Sequence, residues 1–217
     1  MVDNFPNVKI CGLTRPEDAA AAGRAGAWAL GVILARESPR YVTLEQAGKI
    51  LAAAPEGIEK VGVFVNEPPE AVAAAVRASG MTAVQLHGEE TPGQCRQIAD
   101  LTGAIVIKAI RAKDPQRLAQ SVALFDTGLI LLDTYSQESR GGTGKTFDWS
   151  LAALLPEETR SGRLILSGGL NAGNVLEALD AVGPYAVDVS SGIESAPGIK
   201  DPGEMERLFD ILKEMRR

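Results

Sequence analysis

Short apolar runs alternate with longer amphipathic stretches along the whole chain. The runs lie at residues 8–11, 28–34, 60–65, 83–86, 105–110, 129–133, 164–167 and 186–190, and they are nearly continuous in apolar character. Strands that are buried on both faces, as in a parallel sheet, have this pattern. The pattern therefore predicts eight strands, each followed by a helix.

The stretches between the runs have the apolar spacing of helices. They span residues 15–25, 44–53, 69–79, 92–101, 115–124, 149–154, 172–181 and 202–215. Thr14, Asp114 and Asp201 each precede a first turn that contains proline, which is a helix-start signal. Eight strand–helix units without a linker predict the α/β class, as a (β/α)₈ TIM barrel that occupies residues 1–217 as one domain. An open, doubly wound sheet is the alternative.

Composition and charge narrow the possible partners. The 217 residues carry a formal net charge of -6, which argues against a nucleic-acid partner. No apolar run reaches the roughly 18 residues of a membrane span, and the first residues do not form a secretory signal. We therefore expect a soluble cytoplasmic protein in which Cys11 and Cys95 are separate thiols. One histidine and two cysteines do not make a zinc cluster, and we expect no metal.

Polar residues follow nearly every predicted strand, at the edge where barrels of this kind carry their active sites. They are Cys11, Arg40, His87, Asp133, Ser167-Gly168-Gly169, Asp188 and Ser190-Ser191-Gly192. Glycine-rich loops after the seventh and eighth strands are typical of a phosphate site, because their backbone N–H groups approach an anion closely. The residues alone thus predict a small phosphorylated substrate.

Cys11 and Asp133 end buried strands and are candidates for proton transfer. Electropositive surroundings lower the pKa of a thiol, and a thiolate can remove a carbon-bound proton. A carboxyl group beside the apolar run 129–132 favours its protonated form, which suits a general acid. Lys108, inside the fifth strand, offers Schiff-base chemistry instead, or it fills the barrel interior as a salt-bridged residue. His87 offers substrate contact or support for a neighbour, so the residues alone leave the reaction open.

The glycine-rich segment 141–146 ends in Gly-Lys-Thr but lacks the glycine spacing of a nucleotide-binding P-loop. We interpret it as a loop that closes over the substrate.

Ordered motifs cover nearly the whole chain. They include Lys-Ile-Cys-Gly-Leu-Thr at 9–14, Ser-Pro-Arg-Tyr at 38–41, Val-Gln-Leu-His-Gly at 84–88, Leu-Leu-Asp-Thr at 131–134, Leu-Ser-Gly-Gly-Leu at 166–170 and Val-Asp-Val-Ser-Ser-Gly at 187–192. With these motifs the chain resembles the phosphoribosylanthranilate isomerases of tryptophan biosynthesis. The resemblance implies a cofactor-free Amadori rearrangement, in which N-(5-phosphoribosyl)anthranilate becomes 1-(2-carboxyphenylamino)-1-deoxyribulose 5-phosphate.

The resemblance also implies roles for individual residues. Asp133 is the general acid, Cys11 the general base, and Arg40 the partner of the anthranilate carboxylate. His87 and Asp188 line the site. The phosphate is bound by Gly142, Gly144, Ser167, Gly168, Gly169, Ser190, Ser191 and Gly192.

One departure from the family concerns the aromatic ring of the substrate. Where many relatives have aromatic residues after Gly31, this chain has Val32 and Leu34, so we expect aliphatic packing of the anthranilate. Two other functions remain as alternatives: another phosphosugar isomerase or aldolase, and a phosphate-binding barrel without catalysis. The expected assembly is a monomer or a homodimer.

Overall fold

Parallel strands close into a barrel in the computed structural model, which describes residues 6–111, 115–133 and 149–215. The strands are β1 (Asn7–Ile10), β2 (Ala29–Ile33), β3 (Glu59–Phe64), β4 (Ala83–Leu86), β5 (Ile105–Arg111), β6 (Leu129–Asp133), β7 (Leu164–Ser167) and β8 (Ala186–Val189). Each pairs with the next, and β8 returns to pair with β1. The predicted (β/α)₈ barrel is confirmed, and the open-sheet alternative is wrong.

Helices follow the strands and surround the barrel. They are α1 (Pro16–Ala25), α2 (Leu44–Ala52), α3 (Pro69–Ser79), α4 (Pro92–Thr102), α5 (Pro115–Ala123), α6 (Ser150–Ala153), α7 (Glu157–Arg163), α8 (Val175–Val182) and α9 (Pro202–Glu214). The sequence pattern did not predict α7. Within the described ranges, no helix has both the length and the apolar character needed to cross a bilayer.

A small antiparallel sheet follows β8 and was also not predicted. A 3₁₀ turn at Ser191–Ile193 leads into β9 (Glu194–Ala196), which pairs with β10 (Ile199–Lys200). This two-stranded sheet brings Glu194 and Lys200 to the carboxyl end of the barrel, where their side chains contact residues of the site described below.

The helix-start signals have mixed outcomes. Asp201 caps α9, because its side chain accepts hydrogen bonds from two backbone N–H groups of the first turn. Thr14 does not cap α1. The N-cap of that helix is Arg15, and the Thr14 hydroxyl donates to the carbonyl of Gly198 at 2.5 Å. Asp114 lies outside the described residues.

Strand side chains alternate between the barrel interior and the helix-facing core. The interior is packed by small and branched apolar residues: Ala29, Val61, Ala83, Ile107, Ala109, Leu129, Leu131, Ile165 and Ala186. Two residues further along a strand, the same inward face carries polar groups. Gln85 follows Ala83 in this way, Asp133 follows Leu131, and Asp188 follows Ala186. The apolar interior therefore ends in a polar layer at the carboxyl ends of the strands.

Candidate active site

An open cavity of about 500 Å³ lies at the carboxyl ends of the strands. Its lining includes ten of the predicted site residues: Cys11, Arg40, His87, Asp133, Ser167, Gly168, Gly169, Asp188, Ser190 and Ser191. Gly192 continues the same loop as part of the 3₁₀ turn. Gly142 and Gly144, with the rest of the segment 141–146, lie outside the described residues. No cluster of histidine, cysteine and carboxylate side chains suited to a metal ion occurs within residues 6–111, 115–133 and 149–215.

Cys11 lies directly after β1 and is fixed by its backbone, because its N–H donates to the carbonyl of Val189 on β8 at 2.9 Å. A buried ion pair lies beside the thiol: Lys9 Nζ is 2.8 Å from Asp188 Oδ1. Burial raises the pKa of the Cys11 thiol, and the opposing charge of Lys9 only partly offsets this. The predicted electropositive surroundings of Cys11 are present, but burial has the larger effect on the pKa of its thiol.

The ion pair keeps Lys9 charged. Burial acts to lower the pKa of Lys9, but the charges of Asp188 and Cys11 and the hydrogen bonds to both together outweigh it, and the pKa of Lys9 is raised. Asp188 also accepts a hydrogen bond of 3.3 Å from the Ser167 hydroxyl, so it connects the ends of β1, β7 and β8. The charged ammonium group of Lys9 therefore lies beside the thiol of Cys11, the base predicted from the sequence.

Gly31 on β2 makes room for that thiol. A Cβ atom at this position would lie 3.4 Å from Lys9 Cε and 2.9 Å from Cys11 Sγ. The distance to Cys11 Sγ is shorter than real Cβ contacts allow. The packing of the Cys11 thiol and of Lys9 therefore requires glycine at position 31.

His87 and Asp133 form a direct pair on the opposite side of the cavity. Nε2 of His87 lies 3.1 Å from Asp133 Oδ2, and both side chains are partly exposed to the cavity. On its other nitrogen, Nδ1, His87 is contacted by the Gln85 amide nitrogen at 3.0 Å. The predicted support role of His87 therefore has a geometric basis, since the ring contacts the candidate acid.

Arg40 extends over Gly12 to the rim of the cavity. Gly12 has a φ of +74°, and an added Cβ would collide with the Arg40 side chain. The guanidinium is held by Glu194 of β9 through hydrogen bonds of 2.6 Å from Nη2 and 2.8 Å from Nε. Burial acts to raise the pKa of Glu194, but Arg40 and Lys200 outweigh it and the pKa is lowered. Glu194 is therefore an anion that fixes the arginine.

Lys200 of β10 connects this pair to the thiol-bearing strand. Its buried Nζ lies 2.8 Å from Glu194 Oε1 and donates to the carbonyls of Cys11 at 2.6 Å and Ser190 at 3.1 Å. Burial lowers the pKa of Lys200, and Glu194 opposes this effect. Through Lys200, the candidate carboxylate-binding arginine and the candidate base share one network of buried contacts.

The two glycine-containing loops meet on one wall of the cavity. Gly168 and Gly169 have φ values of +106° and +68°, a conformation that side chains disfavour. The carbonyl of Gly169 accepts hydrogen bonds from the side-chain amides of Asn171 and Asn174. This arrangement is suited to a phosphate bound by backbone N–H groups.

The structure corrects two expectations about single residues. Lys108 alternates with Ile107 and Ala109, which pack in the barrel interior, so its side chain lies on the helix-facing side. There Lys108 Nζ pairs with Glu90 at 2.7 Å and is almost fully buried. Val32 likewise belongs to the helix-facing core, and it is Ile33 that lines the cavity. A Schiff base on Lys108 is therefore wrong, whereas its alternative role as a salt-bridged residue is confirmed. Ring packing by Val32 is also wrong.

Sequence reasoning did not assign a role to four of these residues, namely Lys9, Gln85, Glu194 and Lys200. Two of them had a local signal. Lys9 lies two residues before Cys11, and Gln85 lies two residues before His87. Because side chains two positions apart on a strand point to the same face, Lys9 and Gln85 share the inward face with Cys11 and His87. Glu194 and Lys200 had no such signal, because they reach the site from the small sheet after β8.

Comparisons with known proteins agree on one family. Residues 8–211 match the family described as N-(5'phosphoribosyl)anthranilate (PRA) isomerase. The N-(5'-phosphoribosyl)anthranilate isomerase of Geobacter sulfurreducens is 49% identical over 206 residues, covering 95% of this chain and 98% of the relative. The crystal structure of the Thermotoga maritima phosphoribosyl anthranilate isomerase is 42% identical, with a TM-score of 0.86 and coverage of 96% and 99%. A crystal structure of such an isomerase with reduced 1-(o-carboxyphenylamino)-1-deoxyribulose 5-phosphate is 39% identical, with a TM-score of 0.83 and the same coverage.

Proposed function

Since the chain belongs to the phosphoribosylanthranilate isomerase family and catalyses its Amadori rearrangement in tryptophan biosynthesis, we propose that Asp133 is the general acid and Cys11 the general base. The observation that carries this assignment is that both groups line one cavity, together with Arg40 and the two glycine-containing loops. The substrate has a carboxylate at one end and a phosphate at the other, and the cavity has a fitting group for each.

The first chemical step is the opening of the ribose ring. Asp133 gives its proton to the ring oxygen, the bond from C1′ to that oxygen breaks, and the nitrogen lone pair forms the iminium. Asp133 is left as a carboxylate, which accepts the hydrogen bond from His87. An N–H donor beside the carboxylate stabilises the ionised form that this step produces.

The second step removes the proton on C2′. The thiolate of Cys11 takes that proton, the electrons of the C–H bond form the C1′–C2′ double bond, and the nitrogen regains its lone pair. The enolamine then tautomerises to the ketone product. Burial raises the pKa of Cys11, but the iminium cation adds a positive charge to that of Lys9 at the step where the base is needed. The substrate nitrogen itself accepts the electrons.

The ends of the substrate determine its orientation. We assign the anthranilate carboxylate to Arg40, because a guanidinium binds a carboxylate through paired hydrogen bonds. We assign the phosphate to the loops of Ser167–Gly169 and of residues 190–192, and to the segment with Gly142 and Gly144. His87 and Asp188 complete the lining, and Ile33 offers an aliphatic surface to the ring.

We propose that residues 1–217 act as one catalytic domain, because the barrel strands extend from Asn7 to Val189 and α9 packs against α1. The protein acts as a monomer or a homodimer, which is supported by a 40% identical Thermotoga maritima isomerase that is described as dimeric and that also exists as monomers. A cytoplasmic location is supported by the two free buried thiols, Cys11 and Cys95, which suit a reducing compartment.

The decisive experiment follows the fluorescence of phosphoribosylanthranilate, which disappears on isomerisation. Wild-type protein is expected to accelerate the decay, whereas Cys11→Ala and Asp133→Asn should each lose about two or more powers of ten in kcat. Cys95→Ala is the matched control, because it removes the other buried thiol from α4, away from the cavity. Near-normal turnover of Cys11→Ala or Asp133→Asn would overturn the assignment, and so would an equal loss in Cys95→Ala.

A further inference from the structure

Gln85 is a buried polar side chain at the base of the cavity, and its surroundings are mostly apolar. It is 2% exposed, and its strand neighbours in register are Val63 on β3 and Ile107 on β5. Its amide nitrogen contacts His87 Nδ1 at 3.0 Å. Its carbonyl oxygen, Oε1, is buried and has no hydrogen-bond partner among the described residues. An apolar residue would avoid that unpaired oxygen, so the amide N–H toward His87 is the feature that a glutamine adds here.

The apolar neighbours determine which way the amide points. Turning it over would place the NH₂ group, with its two hydrogens, where Oε1 now lies without a partner among the described residues. Buried N–H groups without acceptors are rarer than carbonyl groups without donors. The amide nitrogen therefore stays toward His87 and donates to Nδ1.

This donation determines where the imidazole proton lies. In a neutral histidine one ring nitrogen is a donor and the other an acceptor. Because Nδ1 accepts from Gln85, the proton lies on Nε2, and Nε2 donates to Asp133 Oδ2 at 3.1 Å. Oδ2 is then the accepting oxygen of the carboxyl group, both before and after proton transfer.

We propose that Gln85 is a positioning residue that holds His87 as the Nε2–H tautomer, so that the acidic proton of Asp133 lies on Oδ1. This inference rests on the proposed role of Asp133 as general acid. In the ring-opening step, Oδ1 gives its proton to the ring oxygen as the C1′–O bond breaks, and Oδ2 keeps the hydrogen bond from His87. Gln85 acts through His87 and does not contact the substrate.

The chain has a single histidine, which makes the tautomer directly measurable. A two-bond ¹H–¹⁵N correlation spectrum of ¹⁵N-labelled wild-type protein contains the ring signals of His87 alone. At a pH where the ring is neutral, Nε2 is expected as the protonated nitrogen and Nδ1 as the unprotonated one. A proton on Nδ1, or an even mixture of tautomers, would overturn the inference, and this test needs no variant.

Variants then test the consequence for catalysis. Gln85→Met keeps the length of the side chain but has no donor, so the tautomers should mix and kcat should fall about tenfold while KM changes less than about twofold. Gln85→Glu places an acceptor beside Nδ1, so the proton should move there and kcat should fall at least as far. Gln97→Met, which alters an exposed glutamine of α4, should change neither kcat nor the spectrum.

The outcomes separate this inference from the proposed function. A rise in KM with unchanged kcat in Gln85→Met would mean substrate contact and would overturn the positioning role. A His87 ring protonated on Nδ1 in the wild type, with Asp133→Asn inactive, overturns this inference alone. Near-normal turnover of Asp133→Asn overturns the proposed function together with the inference that rests on it.

Discussion

Glu194 holds Arg40 through three hydrogen bonds, one of 2.6 Å from Nη2 and two of 2.8 and 3.1 Å from Nε. The carboxylate is buried, and it also contacts the ammonium group of Lys200 at 2.8 Å. A guanidinium has two edges that can each bind a carboxylate, and Glu194 takes the edge of Nε and Nη2. We therefore expect that Arg40 is already fixed in place by Glu194 when it binds the substrate carboxylate.

Replacing Glu194 should weaken substrate binding more than it slows the chemistry. In Glu194→Gln the charge that fixes Arg40 is lost, so we expect KM for phosphoribosylanthranilate to rise about tenfold with kcat nearly unchanged. The variant also leaves Lys200 buried without its anion, at a cost of about 3–5 kcal/mol in the free energy of unfolding. Urea unfolding establishes the conditions under which the variant is folded for the kinetic comparison.

A substrate without the carboxylate provides the control for Glu194→Gln. The wild type should bind N-(5-phosphoribosyl)aniline more weakly than phosphoribosylanthranilate, because Arg40 has no carboxylate to bind. Glu194→Gln should leave the KM for the aniline substrate nearly unchanged. An equal rise in KM for both substrates would contradict the link between Glu194, Arg40 and the carboxylate.

Adding a single methyl group beside the thiol should impair catalysis. In Gly31→Ala the new Cβ would lie 2.9 Å from Cys11 Sγ, so the thiol must move. We expect kcat to fall about tenfold or more, because a displaced base loses its alignment with C2′. The measurement is steady-state kinetics together with a thermal melt, and the protein should stay folded.

Gly48→Ala is the matched control for Gly31→Ala. An added Cβ at Gly48, in α2, has no atom within 4 Å. The helix should gain about 0.5–1 kcal/mol in the free energy of unfolding, with kcat unchanged. If Gly31→Ala retained full activity, the close packing around the thiol would have no catalytic consequence.

The fold was largely predictable because strand burial leaves a local signal. The apolar runs 83–86, 129–133 and 164–167 became β4, β6 and β7 with the same bounds, and the runs of the other strands differ from the structure only at their ends. The small sheet of β9 and β10 was missed because its strands have three and two residues, which is too short for a periodic pattern. The helix α7 was missed because none of its residues is buried, so it lacks an apolar face.

The candidate site was predictable only for residues at strand ends. The barrel topology brings such residues together, so Cys11, His87 and Asp133 were found one by one from their positions. The pairs that tune them join distant parts of the chain: Arg40 and Glu194 are 154 residues apart, and Lys9 and Asp188 are 179 apart. A partner at that separation gives no signal in the local sequence pattern. Its charge acts on the site residue only once folding brings the two residues together.

Removing Lys9 should change the pH dependence of catalysis. The ammonium group acts to lower the pKa of Cys11, more strongly than Asp188 acts to raise it. In Lys9→Met/Asp188→Asn both charges are removed, and the pKa of Cys11 rises further. A base with a higher pKa is ionised only at higher pH, so kcat/KM should fall at neutral pH and recover as the pH rises.

The pH profile of kcat/KM tests this expectation. Each tenfold drop in the acid dissociation constant of the Cys11 thiol lowers kcat/KM at neutral pH about tenfold, because the thiolate fraction falls in proportion. The double variant is used because Lys9→Met alone leaves Asp188 buried without its partner. Lys49→Met, which removes an exposed lysine from α2, should leave the profile unchanged. The same profile in Lys9→Met/Asp188→Asn as in the wild type would contradict the effect of Lys9 on the thiol.

Lys108 and Glu90 should matter for stability rather than for chemistry. Lys108 Nζ donates to Glu90 and to the carbonyls of Leu86 and Gly88, so it ties β5 to the end of β4, next to His87. In Lys108→Met the Glu90 carboxylate stays buried without its cation, and we expect a loss of about 3–5 kcal/mol in the free energy of unfolding. Lys108→Met/Glu90→Gln removes both charges and should recover most of this loss.

The same pair contributes to stability only above acidic pH. Burial acts to raise the pKa of Glu90, but hydrogen bonds from Lys108 and from backbone N–H groups outweigh it, and the pKa lies below its ordinary value of 4.5. Because the pKa of Glu90 is lowered, the contribution of the pair to stability is complete above pH 4.5. It is lost as the pH falls through the pKa that Glu90 has in the folded protein. Urea unfolding of the wild type and of Lys108→Met/Glu90→Gln, at neutral and acidic pH, should show a steeper acid loss in the wild type. Equal losses of unfolding free energy at acidic pH in the two proteins would contradict a stabilising charged pair. Turnover by folded Lys108→Met is expected, because Lys108 is not a nucleophile in this site.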